Sequence, residues 1–197
     1  MGHLNQAEPM KKIILASQSP RRKQLLEWAE VPFEVIASET DESYPEGLDT
    51  RDVAIYIARN KALAIHEKTG GELVVLAADT IVVLKDAIIG KPRDREDAIR
   101  ILQNLSGQEH SVVTGVVILN KSREISFADT TEVLFHDLTQ AQIEFYVDKY
   151  KPFDKAGAYA IQEWIGVVGI KSVRGDFYNV MGLPVSRVVR ELSNFDM

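Results

Sequence analysis

A nearly continuous apolar run, LVVLAADTIVVL at residues 73–84, constrains the fold more than any other part of this sequence. A strand of this composition is typical of a sheet that is covered on both faces. Asp79 and Thr80 are the polar residues inside the run. Burying an unpaired carboxylate costs several kcal/mol or forces its protonation. Asp79 is therefore either a structural carboxylate held by backbone N–H groups, or a functional group such as a general base or a metal ligand.

Strand and helix patterns alternate along the chain, with no repeat and no low-complexity tract. Further strands are predicted at residues 12–16, 33–38, 110–119, 124–135 and 164–173, with the third and fourth of these paired through a turn at 120–123. Helices are predicted from capping residues and apolar stripes at about 20–29, 50–68, 95–107, 139–150 and 184–192. This order predicts one α/β fold around a central mixed sheet with the long helices packed against it.

The domain organisation predicted from the sequence is simple. Residues 1–11 are interpreted as a polar N-terminal extension, in which Met10 is a plausible natural start. Residues 12–197 are predicted to form a single domain, because no linker composition interrupts them. An apolar content of 45% is ample for the core of a domain of this length.

Charge and residue usage argue against several classes of protein. The formal net charge is -6, and no long block of Lys or Arg is present, so a broad nucleic-acid-binding surface is not expected. The lack of cysteine excludes disulfides, thiolate metal sites and cysteine catalysis, and the four histidines lack the spacing of a zinc site. Neither a signal-peptide core nor an apolar run of membrane length occurs, so we expect a soluble, cytoplasmic protein that does not bind membranes.

Lys61 is a second charged residue at an apolar position. On its predicted helix it shares a face with Ala54, Ile57 and Ala58, so its side chain is directed toward the core. One interpretation is that the stem is buried while the ammonium reaches water. The alternative is a polar cleft shared with Asp79, which becomes more attractive because both residues belong to one small domain.

The stretch LASQSPRR, residues 15–22, places two arginines where a helix begins, although cations are unfavourable at a helix N-terminus. Ser17, Ser19 and the free N–H groups of the first turn form a ready anion site, which Arg21 and Arg22 would extend. In isolation, two solvated arginines would be the preferred interpretation of the pattern.

Further cations make the anion site more plausible. In IIGKPRD, Gly90 and Pro92 favour a tight turn that positions Lys91 at a strand end. Together with Lys61 and the two arginines of LASQSPRR, Lys91 completes a group of four cations that would match a triphosphate.

An acidic stretch follows the strand predicted at residues 33–38 and contains Glu39, Asp41, Glu42 and Glu46. A solvated surface is its simplest interpretation. Triphosphate chemistry usually needs Mg²⁺ or Mn²⁺ held by carboxylates together with substrate oxygens. Asp79, assisted by Asp41 or Glu42, is therefore the candidate metal site.

The sequence resembles the Maf family, also called septum formation inhibitor proteins. The motifs that carry the resemblance are LASQSPRR, NKA, AADT, GKP, VVTG, DKAGAYAIQ and GDFYNVMGLP, in the family's order and spacing from about residue 12 to residue 195. Seven motifs in register are highly specific. The resemblance implies a nucleoside triphosphate pyrophosphatase of mixed α/β fold, with two lobes flanking a cleft, similar to the inosine triphosphate pyrophosphatases.

The resemblance also implies residue roles. Asp79 would be the proton acceptor when a water attacks the α-phosphorus, giving a nucleoside monophosphate and pyrophosphate. The residues implied around the phosphates are Arg21, Arg22, Lys61 and Lys91. Within the family the sequence is similar to the subgroup that acts on TTP and UTP, because Arg21, Thr80 and Gln162 match its discriminating positions. Ala160 stands where glycine is frequent in the family.

Other functions remain open at this point. The same cleft would serve a non-catalytic, nucleotide-binding regulator of cell division, or a pyrophosphatase for 7-methyl-GTP or other modified nucleotides. Single-stranded nucleic-acid binding is disfavoured by the acidic balance, although aromatic residues are available. The sequence leaves a homodimer open.

Overall fold

The computed structural model of the protein describes residues 11–37 and 40–195. Within these residues one sheet is formed by the strands β1 (Ile13–Leu15), β2 (Phe33–Val35), β3 (Val75–Leu84), β4 (Ala87–Ile89), β5 (Glu109–Leu119), β6 (Glu124–Phe135) and β7 (Ile170–Arg174). The helices are α1 (Pro20–Trp28), α2 (Thr50–Lys68), α3 (Arg95–Leu105), α4 (Gln140–Tyr150), α5 (Trp164–Gly169), α6 (Phe177–Met181) and α7 (Val185–Ser193), with a 3-10 turn at Ala156–Ala158. Apart from Lys11, the predicted N-terminal extension lies outside the described residues.

The sheet is mixed, with the order β2-β1-β3-β5-β6-β7 and with β4 paired to β3. β1 is parallel to both β2 and β3, whereas the pairs from β3 onward are antiparallel. The mixed α/β class predicted from the sequence is therefore confirmed. In the described residues, no helix combines the length and the apolar character needed to cross a membrane.

The central strand β3 contributes to the core on both of its faces. Leu76, Ala78 and Val82 belong to the larger apolar cluster, which also contains residues of α1, α3, α4 and α7. Val75 and Ala77 point to the opposite face, which α2 covers. Because side chains alternate along a strand, Asp79 points to the α2 face and Thr80 to the other.

A glycine allows α2 to lie close to the sheet. Gly115 of β5 pairs directly with Asp79 of β3. A Cβ atom at Gly115 would stand 2.2 Å from the backbone carbon of Ala54 in α2, so any larger residue would push the helix away. Lys61 lies two helical turns beyond Ala54 on the same face, and the close approach brings it over β3.

The stretch 164–173 was predicted as one strand, and this prediction is wrong for its first half. Residues 164–169 form α5, and only residues 170–174 form β7. Ile165 and Gly169 are buried, whereas Val167 and Val168 are exposed, so burial follows the helical spacing of four residues. The β-branched composition of the run concealed that spacing, because short apolar runs do not separate helix from strand.

The sequence prediction also missed β4 and α6. β4 follows β3 through a hairpin whose two loop residues, Lys85 and Asp86, have φ values of 49° and 67°. Such left-handed pairs are usually signalled by Asn-Gly or Asp-Gly, and Lys-Asp gives no such signal. The capping box predicted for α4 is present, with Thr139 and Gln142 as its members.

We expect His110 of β5 to make the stability of the fold depend on pH. The residue is buried, its Nε2 lies 2.8 Å from the hydroxyl oxygen of Tyr159, and burial lowers the pKa of His110 to about 4. The unfolded chain takes up a proton near pH 6.5, so stability is lost as the pH falls from about 6.5 toward 4. We expect this group to cost about 2 kcal/mol of unfolding free energy between pH 7 and pH 5.

Urea unfolding of the wild type and of His110→Gln at both pH values measures the contribution of His110. The variant lacks the titrating ring, so its unfolding free energy should fall less between pH 7 and pH 5. An equal fall in both proteins would assign the pH dependence to other groups.

Candidate active site

Within residues 11–37 and 40–195, a cleft of about 580 Å³ opens where one edge of β3 has no neighbouring strand. β1 pairs with β3 as far as Leu76, and β4 pairs with it only from Val82 onward. Asp79 and Thr80 lie in the gap between these two partners. Because none of the described strands fills the gap, side chains from α1, α2 and the surrounding loops reach the middle of an otherwise covered strand.

The structure brings most of the residues predicted for the site into this cleft. Nine of the eleven line it: Ser17, Ser19, Arg21, Arg22, Glu42, Lys61, Asp79, Thr80 and Lys91. The other two, Asp41 and Gln162, are exposed and are not among the residues that line the cleft. Gln162 lies two residues after Ala160, which does line it, whereas Asp41 directs both carboxylate oxygens to Ser43.

Lys61 and Asp79 form a largely buried ion pair on the α2 side of the cleft. The Lys61 Nζ atom lies 2.6 Å from Oδ1 of Asp79, and the two side chains are 12% and 11% exposed. The carboxylate inside the apolar strand is therefore paired by a cation, rather than by backbone N–H groups alone. The Lys61 ammonium lies among cleft residues, where it contacts Asp79, as the polar-cleft interpretation predicts.

Glu42 connects this pair to a second lysine. Its Oε1 accepts a hydrogen bond from Lys61 at 2.8 Å, and its Oε2 accepts one from Lys91 at 3.1 Å. Burial alone would raise the pKa of Glu42, but the hydrogen bonds and charges of Lys61 and Lys91 outweigh it and lower the pKa to about 2. Two carboxylates and two ammonium groups thus alternate along one side of the cleft. Of the other predicted acidic residues, Glu46 is exposed and Glu39 lies outside the described residues.

Arg22 is buried at the first turn of α1 and is held by protein groups on several sides. Its Nε donates to the Gly182 carbonyl at 2.7 Å, its Nη1 to Ser17 Oγ at 3.2 Å and its Nη2 to Thr80 Oγ1 at 3.0 Å. Burial lowers the pKa of Arg22, partly offset by attraction to Asp79. The guanidinium is fixed in place and keeps N–H groups for a ligand. The three acceptors of Arg22 compensate for the unfavourable position of this cation at a helix N-terminus.

The Thr80 hydroxyl is committed to neighbouring protein groups. Thr114 Oγ1 donates to the carbonyl of Asn179 at 3.1 Å, and its oxygen lies 2.9 Å from Thr80 Oγ1. A hydroxyl has one proton, so Thr80 must donate to Thr114, while its own oxygen accepts from Arg22. Thr80 therefore fixes the orientation of Arg22 and has no hydroxyl proton left for a ligand.

A second charged group lies at the loop before the 3-10 turn and was not singled out from the sequence. Asp154 Oδ2 lies 3.5 Å from Nη1 of Arg21, and its Oδ1 accepts from Nζ of Lys155 at 2.8 Å. Lys155 is buried, and its Nζ also lies 3.7 Å from Oε1 of Glu163. The sequence signal that could have identified this group is the lysine of DKAGAYAIQ, which stands among small residues. Lysine is rarely buried without a partner, so a buried lysine here would have implied a nearby carboxylate.

The donor set of the cleft fits a divalent cation only in combination with substrate oxygens. Among the described residues, no three His, Asp or Glu side chains converge on one point. Asp79 and Glu42 nevertheless meet at the same ammonium. Mg²⁺ commonly binds one or two carboxylates together with substrate phosphates, and these two carboxylates meet that requirement.

The chain is similar to proteins of a known family. The family described as Maf-like protein matches residues 12–195. A dTTP/UTP pyrophosphatase from Parabacteroides distasonis is 46% identical over 185 residues, which cover 93% of this chain and 96% of the relative. A dTTP/UTP pyrophosphatase from Cytophaga hutchinsonii is 49% identical over 180 residues, which cover 91% of this chain and 82% of the relative.

Among solved structures, a HAM1 protein from Coxiella burnetii resembles this fold with a TM-score of 0.52. The resemblance covers 94% of this chain and all of the other, at 17% sequence identity. At this level of identity the likeness concerns the arrangement of strands and helices alone.

Proposed function

Because this chain belongs to the Maf family, we propose that its cleft hydrolyses nucleoside triphosphates, with dTTP and UTP as the preferred substrates, to the monophosphate and pyrophosphate. The observation that carries the proposal is the position of Asp79, a carboxylate in a strand interior that opens into a cleft lined by cations. A purely structural carboxylate would not need access to such a cleft. We further propose that residues 12–197 form a single domain.

In the proposed reaction, Asp79 accepts a proton from the attacking water. The water oxygen forms a bond to the α-phosphorus, and the bond from that phosphorus to the oxygen bridging to the β-phosphorus breaks. The leaving group is pyrophosphate, which takes the electron pair of the broken bond. Lys61, 2.6 Å from the Asp79 carboxylate, fixes its orientation relative to the substrate.

The cations of the cleft would neutralise the phosphate oxygens during this reaction. Lys91 and Lys61 contact Glu42 and would exchange that carboxylate, in part, for phosphate oxygens. Arg21, Arg22, Ser17 and Ser19 would bind further phosphate oxygens at the start of α1. When bound, a divalent cation held by Asp79 and Glu42 would supply additional charge neutralisation.

A labelling experiment tests the proposed reaction. The purified protein is incubated in H₂¹⁸O with dTTP, UTP, CTP, purine triphosphates and 7-methyl-GTP, with Mg²⁺ or Mn²⁺. We expect dTTP and UTP to be consumed fastest, with ¹⁸O recovered in the monophosphate, since water attacks the α-phosphorus. Label in pyrophosphate would contradict the proposed attack. Binding without turnover would instead favour a regulator, and preference for 7-methyl-GTP would overturn the subgroup assignment.

Gln162 is the residue we propose to distinguish UTP from CTP. These nucleotides differ at the 4-position and N3, where a carbonyl and an N–H are replaced by an amino group and an acceptor. An amide side chain oriented for one pattern leaves polar groups unpaired against the other. Sites that are closed to water discriminate between such substrates by up to ~10⁴-fold. Gln162 is exposed, so we expect it to favour UTP over CTP only about tenfold.

Gln162→Ala should therefore reduce the UTP/CTP ratio of kcat/KM about tenfold while lowering the best rate less. Gln103→Ala, which alters an exposed glutamine of α3 outside the cleft, is the matched control and should keep the wild-type ratio. An unchanged ratio in Gln162→Ala would remove this residue from base recognition.

A further inference from the structure

We propose that Lys155 is a positioning residue whose buried ammonium joins Arg21 and the segment 156–163 into one unit that orients the bound nucleotide. The inference rests on the nucleotide hydrolysis proposed above. It assigns a role to a cation that lines the cleft but does not contact the Asp79 and Lys61 pair.

The burial of Lys155 is the first observation. Its side chain is 10% exposed, although the neighbouring Asp154 is 61% exposed. Burying an ammonium carries a desolvation cost of several kcal/mol, and a well-packed apolar side chain would avoid it. A lysine at this position therefore indicates that its charge is used.

One contact of Lys155 leads to Arg21. The Asp154 carboxylate lies between two cations, 2.8 Å from Lys155 Nζ and 3.5 Å from Arg21 Nη1. Arg21 comes from the first turn of α1, whereas Asp154 and Lys155 come from the loop after α4. Because Lys155 holds one oxygen of Asp154, the other oxygen is directed at Arg21, which lines the cleft.

The other contact of Lys155 leads to the wall of the cleft. Its Nζ lies 3.7 Å from Oε1 of Glu163, and Oε2 of Glu163 accepts a hydrogen bond from the hydroxyl of Tyr146. The Tyr146 oxygen in turn accepts the backbone N–H of Ala160 at 3.1 Å. Burial and the charge of Glu163 raise the pKa of Tyr146, so its hydroxyl stays protonated. Lys155 thus stands at the end of a chain of contacts that fixes Ala160, a lining residue.

In the part of the chain that the structure describes, the group formed by Lys155, Asp154 and Glu163 is not connected to the Asp79–Lys61 pair by polar contacts. Within residues 40–195, no hydrogen bond or ion pair joins Lys155, Asp154 or Glu163 to Asp79 or Lys61. Removing the Lys155 charge should therefore disturb the positions of Arg21 and Ala160 while leaving the ion pair of Asp79 and Lys61 intact. The expected signature is a change in substrate binding with little change in the catalytic step.

The test uses Lys155→Met, Lys155→Arg and Asp154→Asn. Affinity is measured by calorimetry with a dTTP analogue that carries a methylene group between the α- and β-phosphorus atoms, and KM and kcat are measured with dTTP. For Lys155→Met we expect Kd and KM to rise about tenfold, as for the loss of one charge-assisted hydrogen bond, while kcat changes less than about threefold. Lys155→Arg should restore most of the affinity, because it keeps the charge.

Asp148→Asn is the matched control, since it breaks an ion pair with Arg95 between α3 and α4, outside the cleft. It should leave Kd, KM and kcat at wild-type values. Wild-type Kd in Lys155→Met, or a fall in kcat at constant KM, would overturn the inference. If Lys155→Met does not fold, Asp154→Asn decides, because its exposed side chain can change without disturbing the core: a wild-type Kd would overturn the inference and a raised Kd would support it.

The binding measurement also separates this inference from the proposed hydrolysis. A wild type that binds the analogue but does not cleave dTTP would overturn the hydrolysis, while the Kd values would still decide the role of Lys155. A wild type that cleaves dTTP, with equal Kd and KM in Lys155→Met, would overturn only the positioning role. A wild type that neither binds the analogue nor cleaves dTTP would overturn both.

Discussion

Replacing Asp79 with asparagine is expected to lower kcat by about 10²–10⁴-fold, the range for loss of a positioned general base. The amide has nearly the same shape as the carboxylate and still accepts a hydrogen bond from Lys61, which lies 2.6 Å from Oδ1 in the wild type. It does not accept the proton of the attacking water. Steady-state kinetics with dTTP, together with the Kd of the uncleavable analogue, measures the effect, and Kd should change much less than kcat.

Asp97→Asn provides a control matched in burial. Asp97 is 8% exposed, as is Asp79, but it lies at the start of α3, where it accepts hydrogen bonds from Arg93 and Arg100. This variant should lose thermal stability and keep wild-type turnover. Near-normal turnover in Asp79→Asn would remove Asp79 from the mechanism, and a failure to fold would favour its structural interpretation.

Much of the fold could be predicted because local signals agreed with the tertiary structure. The apolar run 73–84 marked the central strand, and α2, α3 and α4 begin close to the predicted helix starts, where Asp49, Asp94 and Thr139 are the capping residues. The failures occurred where local signals were ambiguous. The exposed valines of α5 are β-branched in a helical segment, and the left-handed Lys85–Asp86 hairpin lacks glycine.

The candidate site was predicted less completely, since it depends on contacts between distant parts of the chain. Asp79 and Lys61 stood out because each places a charge at an apolar position of its own element. Asp154 and Lys155 gave a weaker signal, because a charged pair in a turn-rich segment is usually solvated. That Lys155 is buried follows from packing of the 3-10 turn against β3 and α3, which periodicity does not reveal.

A double-mutant cycle on Lys61 and Asp79 should change the unfolding free energy and kcat in different ways. Lys61→Met leaves the Asp79 carboxylate, which is 11% exposed, without its cation. Breaking a fully buried pair costs about 3–5 kcal/mol, and access to the cleft reduces this, so we expect a loss of about 2 kcal/mol of unfolding free energy. Loss of a positioned cation should lower kcat about 10²–10³-fold.

Adding Asp79→Asn to Lys61→Met removes the remaining buried charge, because neither asparagine nor methionine is ionised. The double variant should therefore regain most of the lost unfolding free energy while staying inactive, since replacing both members of a buried pair is often nearly neutral. Urea unfolding and dTTP turnover of the four proteins complete the cycle. Lys12→Met, which removes an exposed pair with Glu34, should change neither quantity appreciably. Wild-type turnover in Lys61→Met would mean that the ammonium only balances the charge of Asp79. A double variant less stable than Lys61→Met would mean that the carboxylate is held by groups other than Lys61.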